Sequence, residues 1–257
     1  MKINLIRLAV ATALGGAAML SQAATVYYSD WAYGNSWSNT VSVGSPTHNG
    51  AAGGFKGSVT FDAAEKLAGW TDVGTPSFIS YCVEITESFN GFPSANMSGY
   101  MVRTATGAVA SGGYNWSSTK ATRMSQLLSY AKSSAGLVDT AAESTSLQLA
   151  IWNVVYDIDG DNSLLSGNFK ELSATTYETY ADTLLASSVG YAVNYDVYVL
   201  EKSGSQDFLL LRGRGSNGGQ TTGVGFTVPE PESLALVLAA LGAVGVSGAR
   251  RRRVAKA

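Results

Sequence analysis

The stretch Thr140-Ala-Ala-Glu-Ser-Thr-Ser-Leu-Gln-Leu-Ala-Ile-Trp-Asn-Val154 decides the class of fold. Thr140 and Glu143 have the spacing of a capping box, in which each side chain satisfies the other residue's backbone N–H at the start of a helix. Leu147, Ala150, Ile151 and Val154 then recur at i, i+3, i+4 and i+7, the stripe of a helix with one buried face. Upstream, Met124, Leu127, Leu128 and Ala131 repeat that stripe on a helix that opens at Ser117 and ends near Gly136. Downstream, Tyr177, Tyr180, Ala181 and Leu184 predict a third helix between Ser173 and Ser188.

Around this helical group the period changes. Thr25 to Tyr28, Gly57 to Phe61, Phe78 to Ile85 and Tyr100 to Thr104 are short β-branched and aromatic runs separated by Gly, Ser, Asn and Pro. After the helices, Ala192 to Glu201 and Asp207 to Arg212 form a pair of runs joined by Lys202 to Gln206, which predicts a closing hairpin with a five-residue loop. The expectation is an α+β body over residues 24–212: β-sandwich or barrel-like strands with an inserted group of about three helices. Residues 213–227, mostly Gly, Ser, Thr and Asn, read as a flexible linker.

The chain has 257 residues, 46% hydrophobic and 14% charged, enough for one domain with a lightly charged surface. Seven of its seventeen basic residues lie at the ends. Residues 24–229 hold ten basic against seventeen acidic side chains, a formal charge of −7. Nucleic-acid binding needs a basic face to displace phosphate counterions, and that balance supplies none.

Lys2 and Arg7, an apolar stretch from Leu8 to Leu20, and small residues at Ser21 and Ala23 predict a secretory signal peptide over residues 1–23, cut by signal peptidase after Ala23. At the other end Ser233 to Ala249 is uncharged and, as a helix, about 25 Å long, just enough to enter a bilayer. Arg250 to Arg253 follow at once and hold the basic tail, residues 250–257, in the cytoplasm. Pro229 and Pro231 keep Val228 to Pro231 extended, open to an enzyme's groove.

This tail, residues 228–257, resembles the PEP-CTERM sorting domain, whose Val-Pro-Glu-Pro motif matches Val228-Pro229-Glu230-Pro231 residue for residue. The resemblance implies an exosortase as processing partner and a transient inner-membrane anchor through residues 233–249. It places the body on the surface or in the exopolysaccharide matrix of a Gram-negative-type bacterium.

Such export leads to an oxidising compartment, yet the chain has a single cysteine, Cys82 in Ser80-Tyr81-Cys82-Val83-Glu84. Three explanations stand side by side: an inert buried thiol, an intermolecular disulfide, or a thiol consumed in another covalent bond. Leu147-Gln148-Leu149-Ala150-Ile151-Trp152 resembles the Gln-x-Ala-Ile-Trp motif of bacterial thioester domains, and Tyr81-Cys82 resembles the strand motif that carries their cysteine. That resemblance implies an internal thioester between Cys82 and Gln148, able to acylate an amine or hydroxyl on a surface or matrix partner. Tyr81 and Trp152 are then the expected shields, Trp152 one turn beyond Gln148 on the same helical face. The expected protein is a non-enzymatic adhesion or matrix protein that needs no cofactor.

Other constellations are weaker. Asp157, Asp159 and Asp161 alternate as calcium ligands do, but Gly160 and the missing Glu depart from an EF-hand, and a solvated acidic turn is the preferred reading. Tyr27, Tyr28, Trp31, Tyr33 and Trp37 crowd the start of the body and offer an alternative function, noncovalent glycan binding. His48, the single histidine, sits in a stretch read as a turn, Pro46-Thr47-His48-Asn49-Gly50, without a nucleophile motif.

Overall fold

A computed structural model describes residues 23–222 except 35, 36, 88, 90, 109–113, 115, 135, 158–161, 174, 175 and 215–220. The expected signal peptide up to Gln22, the motif Val228 to Pro231, the span 233–249, the basic tail, and Asp159 and Asp161 all lie outside the described residues. Among the described residues no helix is long and apolar enough to cross a membrane.

Alternation builds the main sheet. In β1 (Ala24–Trp31), Ala24, Val26 and Tyr28 are buried while their neighbours are half-exposed, and β4 (Phe55–Phe61) pairs with it in the same alternating pattern. With β5 (Val73–Ser80), β6 (Met97–Thr104), β8 (Tyr195–Glu201), β9 (Phe208–Gly213) and β10 (Thr221–Thr222) they form a seven-stranded sheet in the order β10-β9-β8-β6-β1-β4-β5. Every pair in it is antiparallel. The outer edge of β9 is divided. Its C-terminal half pairs with β10, and its N-terminal half takes the chain leaving β5 through a bridge from Cys82 to Phe208. Hydrogen bonds from Leu209 N–H to the Tyr81 carbonyl (3.0 Å) and from Val83 N–H to the Asp207 carbonyl (2.9 Å) flank that bridge. The sheet therefore curls back on itself, and Cys82 stands at the seam.

A second sheet, in the order β3-β2-β7, joins β2 (Trp37–Val43), β3 (Thr47–Ala52) and β7 (Phe169–Glu171). None of these three was evident from pattern, since β3 reads Thr-His-Asn-Gly-Ala-Ala and four of its residues are exposed. His48 accordingly sits in a strand, paired with Val41, and not in a turn. A short helix, α1 (Ala63–Leu67), follows β4 and is capped by Asp62.

The three expected helices are present between β6 and β8: α2 (Ser118–Ala131), α3 (Ala141–Tyr156) and α4 (Thr176–Ser187). Ser117 caps α2, and the Thr140–Glu143 capping box is closed in both directions, with the Glu143 N–H donating to Thr140 Oγ1 (3.3 Å) and the Thr140 N–H to Glu143 Oε2 (3.0 Å). α3 differs from its amphipathic reading. Every residue from Ser144 to Tyr156 is buried, because α2, α4, β7 and the β2–β3 pair surround it.

Asp157 ends α3 as a clamp. Its Oδ1 accepts from the Asn168 and Phe169 N–H groups and its Oδ2 from Asn153 Nδ2, which holds the chain entering β7. Gly167, at φ +82°, passes so close that a Cβ there would lie 2.5 Å from Asp157 Oδ1. Asp157 is thus buried and hydrogen-bonded, not part of a solvated turn. The β8–β9 connection runs from Lys202 to Asp207, one residue longer than expected, because Asp207 turns back to accept from the Lys202 N–H (2.8 Å).

Candidate functional site

The site begins with how α3 is fastened. Ser144 Oγ accepts from the Gly54 N–H (2.8 Å) and meets the Tyr81 hydroxyl (3.1 Å), while Thr145 Oγ1 donates to the Ala52 carbonyl (2.9 Å). Gly54 has to be glycine here, since a Cβ would stand 2.8 Å from Tyr81 Cζ. These contacts fix the first turns of α3 against the loop between β3 and β4 and against the residue before Cys82.

Gln148 lies one turn after Ser144, on the same face, and therefore arrives opposite Cys82. The Cys82 N–H donates to Gln148 Oε1 (2.9 Å), and Gln148 Nε2 donates to the Cys82 carbonyl (2.9 Å). A buried glutamine, 1% exposed, thus spends its carboxamide on the backbone of one residue sixty-six positions away, and that residue is the chain's single cysteine. Cys82 is the one free cysteine and is buried, 7% exposed. Burial first, and then the Glu84 charge, push its thiol well above the ordinary range, so the free side chain is a protonated thiol at neutral pH.

Cys82 opens onto a cavity of about 510 Å³. Trp152, one turn beyond Gln148, lines it and packs near Phe169 with ring centroids 6.3 Å apart; its Nε1–H is buried without a partner. Tyr81 is not among the lining residues. It is fully buried beneath Gly54, and its hydroxyl serves Ser144. The far wall is aromatic: Trp31 stands 4.9 Å from Phe55 and 5.0 Å from Phe92, and Phe89 lies 4.8 Å from Phe55. Of Tyr27, Tyr28, Trp31 and Tyr33, whose side chains are described, Trp31 lines this cavity, and Tyr28 is fully buried in the core, out of reach of a ligand. His48 also lines it, with Nε2 buried and unpartnered.

Three acidic residues not singled out from the sequence gather beside Cys82, two of them on the cavity wall. Glu84, Glu87 and Asp207 each bring an oxygen within 4.8 Å of the others, and Glu84 and Glu87 line the cavity with Cys82. Glu84 is fully buried. Its Oε1 accepts from the Asp207 N–H (2.5 Å) and from Gln206 Nε2 (3.1 Å), while Oε2 receives no hydrogen bond. Asp207 in turn accepts from the Tyr114 hydroxyl (2.6 Å) and the Lys202 N–H. Burial, and after it the neighbouring Asp207, pushes the Glu84 carboxyl up to about 10; burial also raises Asp207. No local pattern marked Glu84, because the chain bends at Val83 after the bridge at Cys82.

The PEP-CTERM protein-sorting motif matches residues 227–253, which include Val228 to Pro231 and Arg250 to Arg253. The chain therefore carries the mark of an exosortase-targeted exported protein, processed at the membrane for an extracellular or surface destination. Comparison with curated proteins and with solved structures gives no match.

Proposed function

We propose that the exported body is a covalent attachment device, in which Cys82 and Gln148 form an internal thioester that acylates an amine or hydroxyl on a cell-surface or matrix partner. The reading is supported above all by the paired hydrogen bonds between the Gln148 carboxamide and the Cys82 backbone. They hold the thiol's own residue against the carbonyl it would attack. A thioester requires water to be kept from the bond until its partner arrives, and the reading gives that part to Trp152 and the aromatic wall of the cavity beside Cys82. Trp152 is the shield in this account, and Tyr81 positions α3 through Ser144.

The chemistry balances. The Cys82 sulfur bonds to Gln148 Cδ, the C–N bond breaks, and ammonia leaves with the thiol proton. A primary amine then attacks Cδ, the C–S bond breaks, and the thiol is restored while the partner is held as an amide. Treatment of the full chain with methylamine should convert Gln148 to its methylamide and free Cys82 for alkylation, with neither change in Cys82→Ala. A thiol that is alkylated from the outset, with Gln148 unmodified, would remove the reading.

A second function rests on Trp31, Phe55, Phe89 and Phe92, whose rings line the same cavity. An aromatic wall of this kind suits noncovalent glycan binding. Retention on exopolysaccharide that survives Cys82→Ala but fails in Trp31→Ala would favour it.

A further inference from the structure

We propose that the Glu84 carboxyl is the proton carrier of this site, taking the thiol proton of Cys82 as the bond to Gln148 forms and returning a proton to the sulfur when the bond is opened. The inference rests on the thioester reading and extends it to a residue outside the resembling motifs.

The need for a carrier follows from burial. The Cys82 thiol is held protonated, Gln148 Nε2 must gain a proton to leave as ammonia, and the Gln148 carboxamide is spent on the backbone of Cys82, which supplies no exchangeable acid. Glu84 is two residues along the chain from Cys82 and lines the same cavity. Its position is held by Gln206, whose Nε2 donates to the Glu84 carbonyl (2.8 Å) as well as to Oε1. Oε2, buried and without a hydrogen-bond partner, is the free end.

Asp207 makes the carrier reversible. Two donors, Tyr114 and the Lys202 N–H, favour its anionic form, while the Glu84 carboxyl against it is held neutral. Two coupled carboxyls that share a proton can accept one and give one without a net change of charge. In thioester formation Glu84 gives its proton to the departing nitrogen and regains one from the sulfur. In capture the incoming amine loses a proton to the carboxyl pair, and the released sulfur receives one from it. The titratable groups acting on Glu84 and Asp207 are Cys82, Glu87, Tyr100, Tyr114, Tyr156 and Glu201.

The test follows adduct formation by the full chain with hydroxylamine, whose nitrogen is unprotonated from neutral pH upward, by intact mass. Glu84→Gln keeps the acceptor for the Asp207 N–H and should slow adduct formation about 100-fold or more, the usual contribution of a positioned proton donor. Equal rates in Glu84→Gln and wild type would overturn the assignment of Glu84 and leave the thioester reading intact. No adduct in wild type would end the thioester reading itself. Should Glu84→Gln fail to fold, the wild-type profile decides: the rate should fall as pH rises through about 10, where Glu84 loses its proton, and a flat or rising profile overturns the proposal. A rate that depends on added calcium or on a chelator would also overturn it, by showing that Glu84, Glu87 and Asp207 serve a cation.

Discussion

Replacing Cys82 by Ala separates a cross-linked body from one that merely holds the two residues together. Gln148 hydrogen-bonds to the backbone of residue 82, so the substitution leaves the local frame in place and removes only sulfur. Without a cross-link, truncating one small buried side chain costs about 1 kcal/mol. With a cross-link between residues sixty-six apart, the unfolded chain also regains its loop-closure entropy, about 4 kcal/mol more. For a body of this size each kcal/mol moves Tm by about 2–4 °C, so the drop should be about 10–20 °C rather than about 2–4 °C. Thermal melts followed by circular dichroism, with no added thiol, measure the difference. Wild type opened by hydroxylamine supplies the control, since it loses the bond but keeps the sulfur, and should melt close to Cys82→Ala. A small drop in the variant together with no change on hydroxylamine treatment would refute the reasoning.

Ser144→Ala strips the Gly54 N–H and the Tyr81 hydroxyl of their shared partner, and should cost about 2 kcal/mol in urea unfolding while slowing amine capture. An unchanged unfolding midpoint would show that Ser144 does not fasten α3. Between about pH 5 and 8 the folded protein keeps on Glu84 a proton that the unfolded chain has released. Stability should therefore fall as pH rises, with a slope from this group of up to about 1.4 kcal/mol per unit, and Glu84→Gln should flatten it. Parallel stability curves for the two proteins would count against a neutral Glu84. Gly167→Ala forces a Cβ against the Asp157 carboxylate at φ +82° and should lower stability by about 1–3 kcal/mol. Retention of wild-type stability would mean that the Asp157 clamp on β7 yields easily.

The helices were legible because their signals are local. Ser117 and Thr140 mark two N-termini by side-chain capping, and stripes at helical spacing run through α2, α3 and α4. The strands of the curled sheet were legible where one face is buried, as in β1 and β4. β3 was not, because four of its six residues are exposed, and β7 was not, because its alternation of buried Phe169 and Glu171 about exposed Lys170 is only three residues long. A tertiary cause hid the environment of Gln148: the stripe Leu147, Ala150, Ile151 and Val154 describes one face, whereas α3 is enclosed on all sides. Cys82 and Gln148 were singled out from short motifs and a lone thiol, and they lie in hydrogen-bond contact. Glu84 and Asp207 were passed over, since their meeting depends on the seam where the chain after β5 joins β9.

Intact mass spectrometry of the exported, processed protein tests the central claim most directly. The account predicts a mass about 17 Da below that of the amino-acid sequence, one ammonia lost to the bond between Cys82 and Gln148, with the deficit abolished in Cys82→Ala. Full mass, together with a Cys82 thiol that alkylates once the protein is unfolded, would contradict it.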